Sequence, residues 1–333
     1  MDSSAQEIEA ILREDAQLAP GPAVLTPLGG GVSCEIFKVV QDSRVFVTKR
    51  ALAKLRVAAD WRADVGRNAV EYEFYKTMAG PLEGAVPRVF FHNPARGYFT
   101  MECLENGWQN WKDLLLKGCM SPADGTMAGA LLGRLHAATW ADQRLAKKFD
   151  TTENFRQLRT APYLRAAADR CPEVAAQLLG EVLRLESCRL CLIHGDFSPK
   201  NLLIHGDRFM LLDAEVAWFG EPAFDVAFLL THLLLKGLLH APAPLSWQET
   251  AQSMWSTYGR VLGEHKNGGL EARCANLLAA LLLARVAGKS PVEYLTPAKQ
   301  EIVRTFAIAM LLDPARDLNQ FFTAWRTRLL SIS

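Results

Sequence analysis

The chain has 333 residues, a length that suits two lobes sharing a cleft. Half of the residues are apolar and 22% are charged, which excludes a mainly disordered chain. Because 37 basic residues balance 36 acidic ones, the net charge of +1 gives no support for a nucleic-acid partner or for polybasic binding to a membrane surface. The sequence shows neither a secretion signal nor an apolar stretch long enough to cross a bilayer, so we expect a cytoplasmic protein with no membrane partner.

The first third of the chain predicts a small antiparallel lobe with one inserted helix. Apolar runs separated by turn residues indicate five short strands, at residues 24–28, 36–40, 45–49, 86–92 and 98–104. Helix-compatible spacing without an internal proline predicts a helix over about residues 63–78, between the third and fourth strands. The character of the sequence changes after residue 104, so we expect an N-terminal lobe of residues 1–104 and a C-terminal lobe of residues 105–333.

The C-terminal lobe is predicted to be mostly helical. Ser121 followed by Pro122 is typical of an N-cap and the first residue of a helix, which we expect to run through residue 140. Further helices are predicted at residues 173–186, 223–239, 247–262, 270–287, 297–312 and 315–330. Strand-like runs in this lobe occur at residues 190–193, 202–204 and 209–212. The two lobes together define an α+β fold class, with a small antiparallel sheet followed by a larger helical region.

The segment most informative about chemistry is His-Gly-Asp-Phe-Ser-Pro-Lys-Asn at residues 194–201, followed by Asp-Ala-Glu at residues 213–215. Asp196 and Asn201 are five residues apart on a loop after one strand, and Asp213 ends a later strand. Phosphoryl transfer needs such a set, because one carboxylate orients the attacking hydroxyl and accepts its proton while oxygen ligands hold magnesium on the phosphates. The spacing is that of the protein-kinase catalytic loop and metal aspartate. Two strand-end aspartates that cap turns are the structural alternative.

These two segments resemble the aminoglycoside phosphotransferase and choline kinase superfamily of small-molecule kinases, which has a protein-kinase-like fold. Residues 47–52 and 67–71, with residues 213–225, are also similar to methylthioribose kinases. The resemblance covers roughly residues 24–310. It implies a bilobal protein-kinase-like fold, ATP and Mg²⁺ as cofactors, Asp196 as catalytic base, Asn201 and Asp213 as magnesium ligands, and Glu215 as a further metal or supporting carboxylate. Methylthioribose kinases usually have a serine where Asn201 stands.

The N-terminal lobe is expected to bind the nucleotide. The Gly-Gly-Gly-Val-Ser turn at residues 29–33 offers unhindered backbone N–H groups for phosphates at Gly30, Gly31, Val32 and Ser33, although a flexible turn is an equal alternative. Lys49 ends the third strand, where a kinase places the lysine that binds the α- and β-phosphates. The following helix offers two carboxylates to hold this lysine, Glu71, which matches the family pattern, and Glu73. Glu102 and Cys103 end the fifth strand, where backbone groups would meet adenine.

We expect a magnesium-dependent kinase that phosphorylates a hydroxyl of a small molecule, with a homodimer left open as an assembly state. Residues 236–333 contain eleven basic and seven acidic residues, which favours a neutral or anionic acceptor such as a sugar derivative over a polycationic aminoglycoside. The resemblance to methylthioribose kinases implies a substrate arginine at Arg285, and Trp218 is a second candidate acceptor-binding residue; as a structural alternative, Arg285 caps its own helix. An aminoglycoside or choline phosphotransferase and a nucleotide-binding pseudokinase stay open as alternatives. Residues 213–222 leave no room for the long activation segment of a protein kinase.

Overall fold

The N-terminal part of the molecule is built on a five-stranded antiparallel sheet. A computed structural model of the chain describes residues 3–29, 34–52, 66–241, 246–266 and 269–331. The sheet has the strand order β1-β2-β3-β5-β4. Its strands are β1 (Val24–Pro27), β2 (Cys34–Gln41), β3 (Arg44–Ala51), β4 (Val89–Asn93) and β5 (Tyr98–Glu102). Helix α1 (Ser3–Glu14) precedes them and α2 (Arg67–Met78) lies between β3 and β4, so the predicted five strands and inserted helix are confirmed.

The two faces of this sheet are covered differently. Ile8 and Leu12 of α1 pack with Phe37 and Val39 of β2 in a small apolar cluster of their own. In the β2–β3 pair, Ile36 lies opposite Lys49. Because side chains alternate along a strand, Lys49 lies on the face of β3 that looks toward α2 rather than α1. The sheet therefore presents a lysine to the interior of the molecule.

The rest of the described chain is mostly helical, as predicted. Its helices are α3 (Trp111–Leu116), α4 (Pro122–Thr139), α5 (Gln143–Lys148), α6 (Thr152–Phe155), α7 (Ala166–Arg170), α8 (Ala175–Ser187), α9 (Ala223–Leu239), α10 (Ser246–Leu262), α11 (Leu270–Ala287), α12 (Pro297–Leu312) and α13 (Leu318–Leu330). A π-helical segment occupies Arg156–Arg165, and single 3₁₀ turns occupy Pro172–Val174, Pro199–Asn201 and Gly263–His265. None of the helices within the described ranges is long and apolar enough to cross a membrane.

Local signals explain where the long helices begin. The Ser121 hydroxyl accepts a hydrogen bond from the Ala123 N–H, and Pro122 follows it as the first helical residue of α4. Helix α9 is buried along nearly its whole length, so its apolar sequence forms the centre of the core. The short helices between residues 143 and 170 and the π-helical segment had not been predicted, because each is too short for a helical repeat to stand out.

Short strands deliver the polar loops of the helical region to one place. They are β6 (Gln109–Asn110), β7 (Cys191–Ile193), β8 (Leu202–His205), β9 (Arg208–Leu211) and β10 (Trp218–Gly220). Strand β7 pairs with β10, and β8 pairs with both β6 and β9. The sequence predicted β7, β8 and β9 and missed β6 and β10, which have two and three residues. The division of the chain into two lobes at residue 104 stays a prediction.

Candidate active site

A group of three charged side chains, the buried Lys49 and Glu71 and the half-buried Asp213, joins the sheet to the helical region. The Lys49 Nζ atom lies 2.7 Å from Glu71 Oε2 and 2.5 Å from Asp213 Oδ1. Glu73 instead pairs with Lys148 at 2.5 Å, so the structure selects Glu71 as the carboxylate beside Lys49. Burial raises the pKa of Glu71 to about 7, and the charge of Lys49 counteracts only part of that shift.

Tyr75 connects the members of this group and was missed by the sequence reasoning. Its hydroxyl donates a hydrogen bond to Glu71 Oε1 at 2.8 Å and accepts one from the Asp213 backbone N–H at 2.7 Å. The backbone of Asp213 has a φ of 65°, in the left-handed region that residues other than glycine rarely adopt. Tyr75 therefore fixes a strained residue from a position one helical turn after Glu71, a spacing that a sequence search could have used.

The loop that carries Asp196 is held by backbone hydrogen bonds. Asp225, at the start of α9, accepts the N–H groups of His194 and Gly195 at 2.7 and 2.9 Å. Burial holds the pKa of His194 below its usual value, so the ring is neutral; its Nδ1 accepts the Asp196 N–H at 3.2 Å and its Nε2 donates to the Leu212 carbonyl at 3.1 Å. This last bond ties the Asp196 loop to the residue that precedes Asp213.

Asp196 itself lies between two cations. Its Oδ2 atom is 2.9 Å from Arg159 Nη2 and 2.9 Å from Lys200 Nζ. Burial alone would raise the pKa of Asp196, but the charges of Arg159 and Lys200 outweigh it and hold the pKa below its usual value. Asp196 is therefore ionised at neutral pH and able to accept a hydrogen bond from a hydroxyl group. Arg159 comes from the π-helical segment, where the sequence carries no motif that could have identified it.

The hydrogen bond from His194 to the Leu212 carbonyl ties together two loops, the one that carries Asp196 and the one that carries Asp213. The predicted metal ligands lie at the ends of these two tied loops. The side-chain amide of Asn201 donates a hydrogen bond to the backbone carbonyl of Asp196 at 3.0 Å. The backbone carbonyl of Asn201 accepts one from the Leu212 N–H at 2.9 Å. This arrangement leaves the side-chain oxygen of Asn201 and the second carboxylate oxygen of Asp213 as oxygen donors, the type that Mg²⁺ prefers. Glu215 differs, because it forms a buried ion pair with Arg67 at 2.9 Å, which favours a supporting rather than a metal-binding place.

A cavity of about 190 Å³ opens beside Asp196 and Lys200. Arg285, near the end of α11, lines it together with residues of α9 and of the segment after α11. The structure does not bring Trp218 there: this side chain is completely buried, stacks on Phe155 at 4.4 Å between ring centroids and donates to the Thr152 hydroxyl. Trp218 thus packs in the core instead of lining an acceptor pocket.

The remaining nucleotide-site predictions are only partly covered by the structure. Gly30, Gly31, Val32 and Ser33 lie outside the described residues. The Glu102 carboxylate accepts hydrogen bonds from the backbone N–H and the side chain of Arg88, at 2.8 and 2.9 Å. Cys103 follows Glu102 as a half-buried free thiol at the end of β5. The adenine contact of Glu102 and Cys103 stays a prediction.

Comparisons with known proteins identify the fold and the family of this chain. Methylthioribose kinase from Geobacillus sp. is 22% identical over 245 residues, which cover 65% of this chain and 61% of that enzyme, so the match spans about three fifths of the relative. Amicoumacin kinase in complex with AMP-PNP, Ca²⁺ and amicoumacin has the same fold, with a TM-score of 0.57 and 14% identity over 92% of this chain and 96% of that one. A choline/ethanolamine kinase family protein from Mesorhizobium loti matches with a TM-score of 0.51 and 18% identity over 97% and 99%. A profile of the phosphotransferase enzyme family matches residues 24–261, and the chain belongs to that family.

Proposed function

We propose that this protein is a magnesium-dependent kinase that transfers the γ-phosphoryl group of ATP to a hydroxyl of a small molecule, a sugar or sugar derivative. One observation carries the proposal: two tied loops hold the ionised Asp196 beside a cavity and place Asp213 against Lys49 of β3, which Glu71 of α2 also contacts. A pseudokinase is disfavoured, because each of these side chains is retained and each has a partner that orients it.

The proposed reaction assigns one role to each group. An acceptor hydroxyl in the cavity donates its hydrogen bond to Asp196, which orients the oxygen and takes up the proton as the new O–P bond forms. The bond between the γ-phosphorus and the β,γ-bridging oxygen breaks, and ADP leaves with that electron pair. Lys49, held by Glu71, binds phosphate oxygens of the nucleotide. Lys200 contacts Asp196 from the cavity side and is placed to face the transferred group.

The metal requirement follows from the donor set. Asn201 and Asp213 would hold Mg²⁺, since both present oxygen atoms at the ends of the tied loops. When bound, the ion neutralises charge on the phosphates. The nucleotide complex of amicoumacin kinase, which contains AMP-PNP and Ca²⁺, supports a nucleotide and a divalent ion in this fold.

The choice of a sugar-like acceptor rests on the cavity and on the relatives. The curated relatives are methylthioribose kinases, whose acceptor is a sugar derivative by name. Four basic side chains and two acidic ones line the cavity, which disfavours the polycationic aminoglycosides and the cation choline. A kinase of aminoglycosides or amino alcohols therefore ranks second, after a kinase of sugar derivatives.

The proposal is tested by ADP formation against a panel of sugars, sugar derivatives, amino alcohols and aminoglycosides, with and without Mg²⁺. We expect acceptor-dependent ADP formation that requires Mg²⁺ and is lost in Asp196→Asn. A control variant, Asp142→Asn, changes a half-buried aspartate that caps α5 and does not line the cavity, so it should leave the rate unchanged. ADP formation that is equal in wild-type protein and in Asp196→Asn would contradict the assignment.

A further inference from the structure

The cavity beside Asp196 contains an excess of cations that the proposed chemistry does not use. Its basic lining residues are Lys112 from α3, Lys200, Lys236 from α9 and Arg285 from α11. Lys200 is paired with Asp196. The other three form no ion pair with a carboxylate anywhere in the described ranges, although they come from three different helices.

Lys236 is the most unusual of these residues. Its side chain is 1% exposed, and within the described structure its ammonium contacts only the Tyr294 ring, at 5.2 Å from the centroid. A buried ammonium loses most of its hydration, and a single cation–π contact replaces only part of it. Burial, Arg285 and Lys112 together lower the pKa of Lys236 to about 7. The neighbours of Lys236 along α9 are mostly apolar and buried, and its side chain lines the cavity.

Two further hydrogen-bond donors at the same cavity lack partners among the described residues. They are the Nε–H group of Arg285 and the hydroxyl of Tyr294, both buried. The Nη1 atom of Arg285, by contrast, is fixed by the Ser290 carbonyl and hydroxyl oxygens, so the guanidinium is held in place by a loop beyond its helix. This contact argues against the simple helix-cap role for Arg285.

The negative and titratable groups around the cavity do not neutralise this excess. Asp196 is already paired with Arg159 and Lys200. Glu293 is exposed and lies at the rim without an ion-pair partner among the residues described. His232 is half-buried, and desolvation together with the charge of Lys236 holds its pKa well below the usual value, so it stays neutral.

We propose that Lys236, Arg285 and Lys112 form an anion subsite, and that the acceptor is a small hydroxylated acid whose carboxylate or phosphate binds there while its hydroxyl meets Asp196. The part of this inference that concerns the acceptor rests on the proposed kinase function. It narrows the acceptor class to an anionic sugar derivative, such as a sugar acid or a sugar phosphate. A neutral sugar leaves the three cations and the two unpartnered donors unused.

A matched set of ligands tests the subsite on the full-length protein. D-Ribose, D-ribonate and D-ribose 5-phosphate share five carbons and differ in having no anion, a carboxylate or a phosphate. Calorimetric titration should show at least one anion binding about 10-fold or more tightly than ribose, since hydrogen bonds to charged groups are the strong ones. The ligand that binds better identifies the source of the anion.

Variants separate the subsite from the catalytic group. Lys236→Met keeps the length and removes the charge, so the advantage of the anion over ribose should disappear, and Arg285→Gln serves as a second variant should the first be poorly folded. Lys147→Met removes an exposed lysine of α5 and should leave the advantage intact. Equal affinity for all three ligands, no binding of either anion, or an advantage that survives in both variants overturns the subsite.

ADP formation with the same ligands distinguishes failure of the subsite from failure of the kinase proposal. Anion binding that depends on Lys236, without ADP formation from any acceptor, would contradict the kinase function and leave the subsite standing. ADP formation with neutral sugars and no preference for anions would contradict the subsite and leave the kinase function standing.

Discussion

Replacing Tyr75 by phenylalanine tests whether Asp213 is held in place through a tyrosine hydroxyl. The substitution keeps the ring, which packs on Phe74 and Phe99 at centroid distances of 6.0 and 6.2 Å. It removes the hydrogen bond to Glu71 and leaves the Asp213 N–H without its acceptor. A hydrogen bond to a charged group contributes about 1.5–3 kcal/mol, and an unsatisfied buried donor costs about 1–3 kcal/mol. Because the two effects overlap, we expect a loss of about 2–4 kcal/mol in the free energy of unfolding.

The same substitution should also weaken binding of magnesium nucleotide. Asp213 has an unfavourable positive φ, so it needs its partners to keep the carboxylate beside Lys49. If about 1.4 kcal/mol of the loss falls on the position of Asp213, the dissociation constant of Mg²⁺–AMP-PNP should rise about tenfold. Denaturant unfolding and calorimetric titration measure the two effects separately.

Tyr98→Phe is a matched control for this experiment. Tyr98 is also completely buried, and its hydroxyl donates to a carboxylate, Asp15 Oδ2, at 2.6 Å on the opposite face of the sheet. This control should lose a similar amount of stability and bind the nucleotide normally. The role assigned to Tyr75 would be refuted if Tyr75→Phe left the nucleotide affinity unchanged. It would also be refuted if both variants lost the same amount of nucleotide affinity.

Three other substitutions give distinct outcomes. Asp196→Asn should lower kcat by roughly 10²–10⁴ while the nucleotide dissociation constant stays the same, as single-turnover and binding measurements would show. Gly195→Ala should destabilise the protein by more than about 1 kcal/mol, because its φ is +74° and a Cβ would lie 2.4 Å from the Val216 carbonyl oxygen; an unchanged melting temperature would contradict this. Lys236→Met should raise the melting temperature at pH 6, since a lysine whose pKa falls from 10.5 in the unfolded chain to about 7 when folded opposes folding most strongly below pH 7. That gain should shrink as the pH rises from about 7 toward 10.5, and a gain independent of pH would count against the buried charge.

The parts of the site that could be predicted are those encoded over a few consecutive residues. The spacing of Asp196, Asn201 and Asp213 is fixed by one loop and two short strands, so the motif alone indicated their proximity. Lys49 followed from a strand end, and the next helix left Glu71 and Glu73 as its two possible partners. The predicted strands and long helices were found because their alternation, caps and apolar runs lie within single segments.

The parts that could not be predicted depend on contacts between distant segments. Arg159 reaches Asp196 from a π-helical stretch that contains a proline and has no helical repeat of apolar residues. Trp218 was wrongly expected to bind the acceptor, because an aromatic residue in a functional loop cannot be distinguished by sequence from one that stacks on Phe155 in the core. The helical spacing of Tyr75 and Glu71 could have indicated their contact, but the hydrogen bond between Tyr75 and Asp213 joins segments 138 residues apart.

Lys236 lies within a helix that the sequence predicted, but its surroundings depend on distant segments. It shows how stability and function compete in this chain. In the sequence, Lys236 lies in an apolar helical stretch that His232 also interrupts. Nothing there distinguishes it from a lysine whose alkyl stem is buried and whose ammonium reaches solvent. The structure instead places this side chain in the wall of the cavity that Arg285 and Lys112 also line, where burial and like charge both oppose folding. Replacement by methionine would relieve that penalty while keeping the packing. A destabilising charge at the wall of a cavity that also holds Asp196 is therefore explained by the ligand that neutralises it, and a bound anion should stabilise the wild-type protein more than it stabilises Lys236→Met.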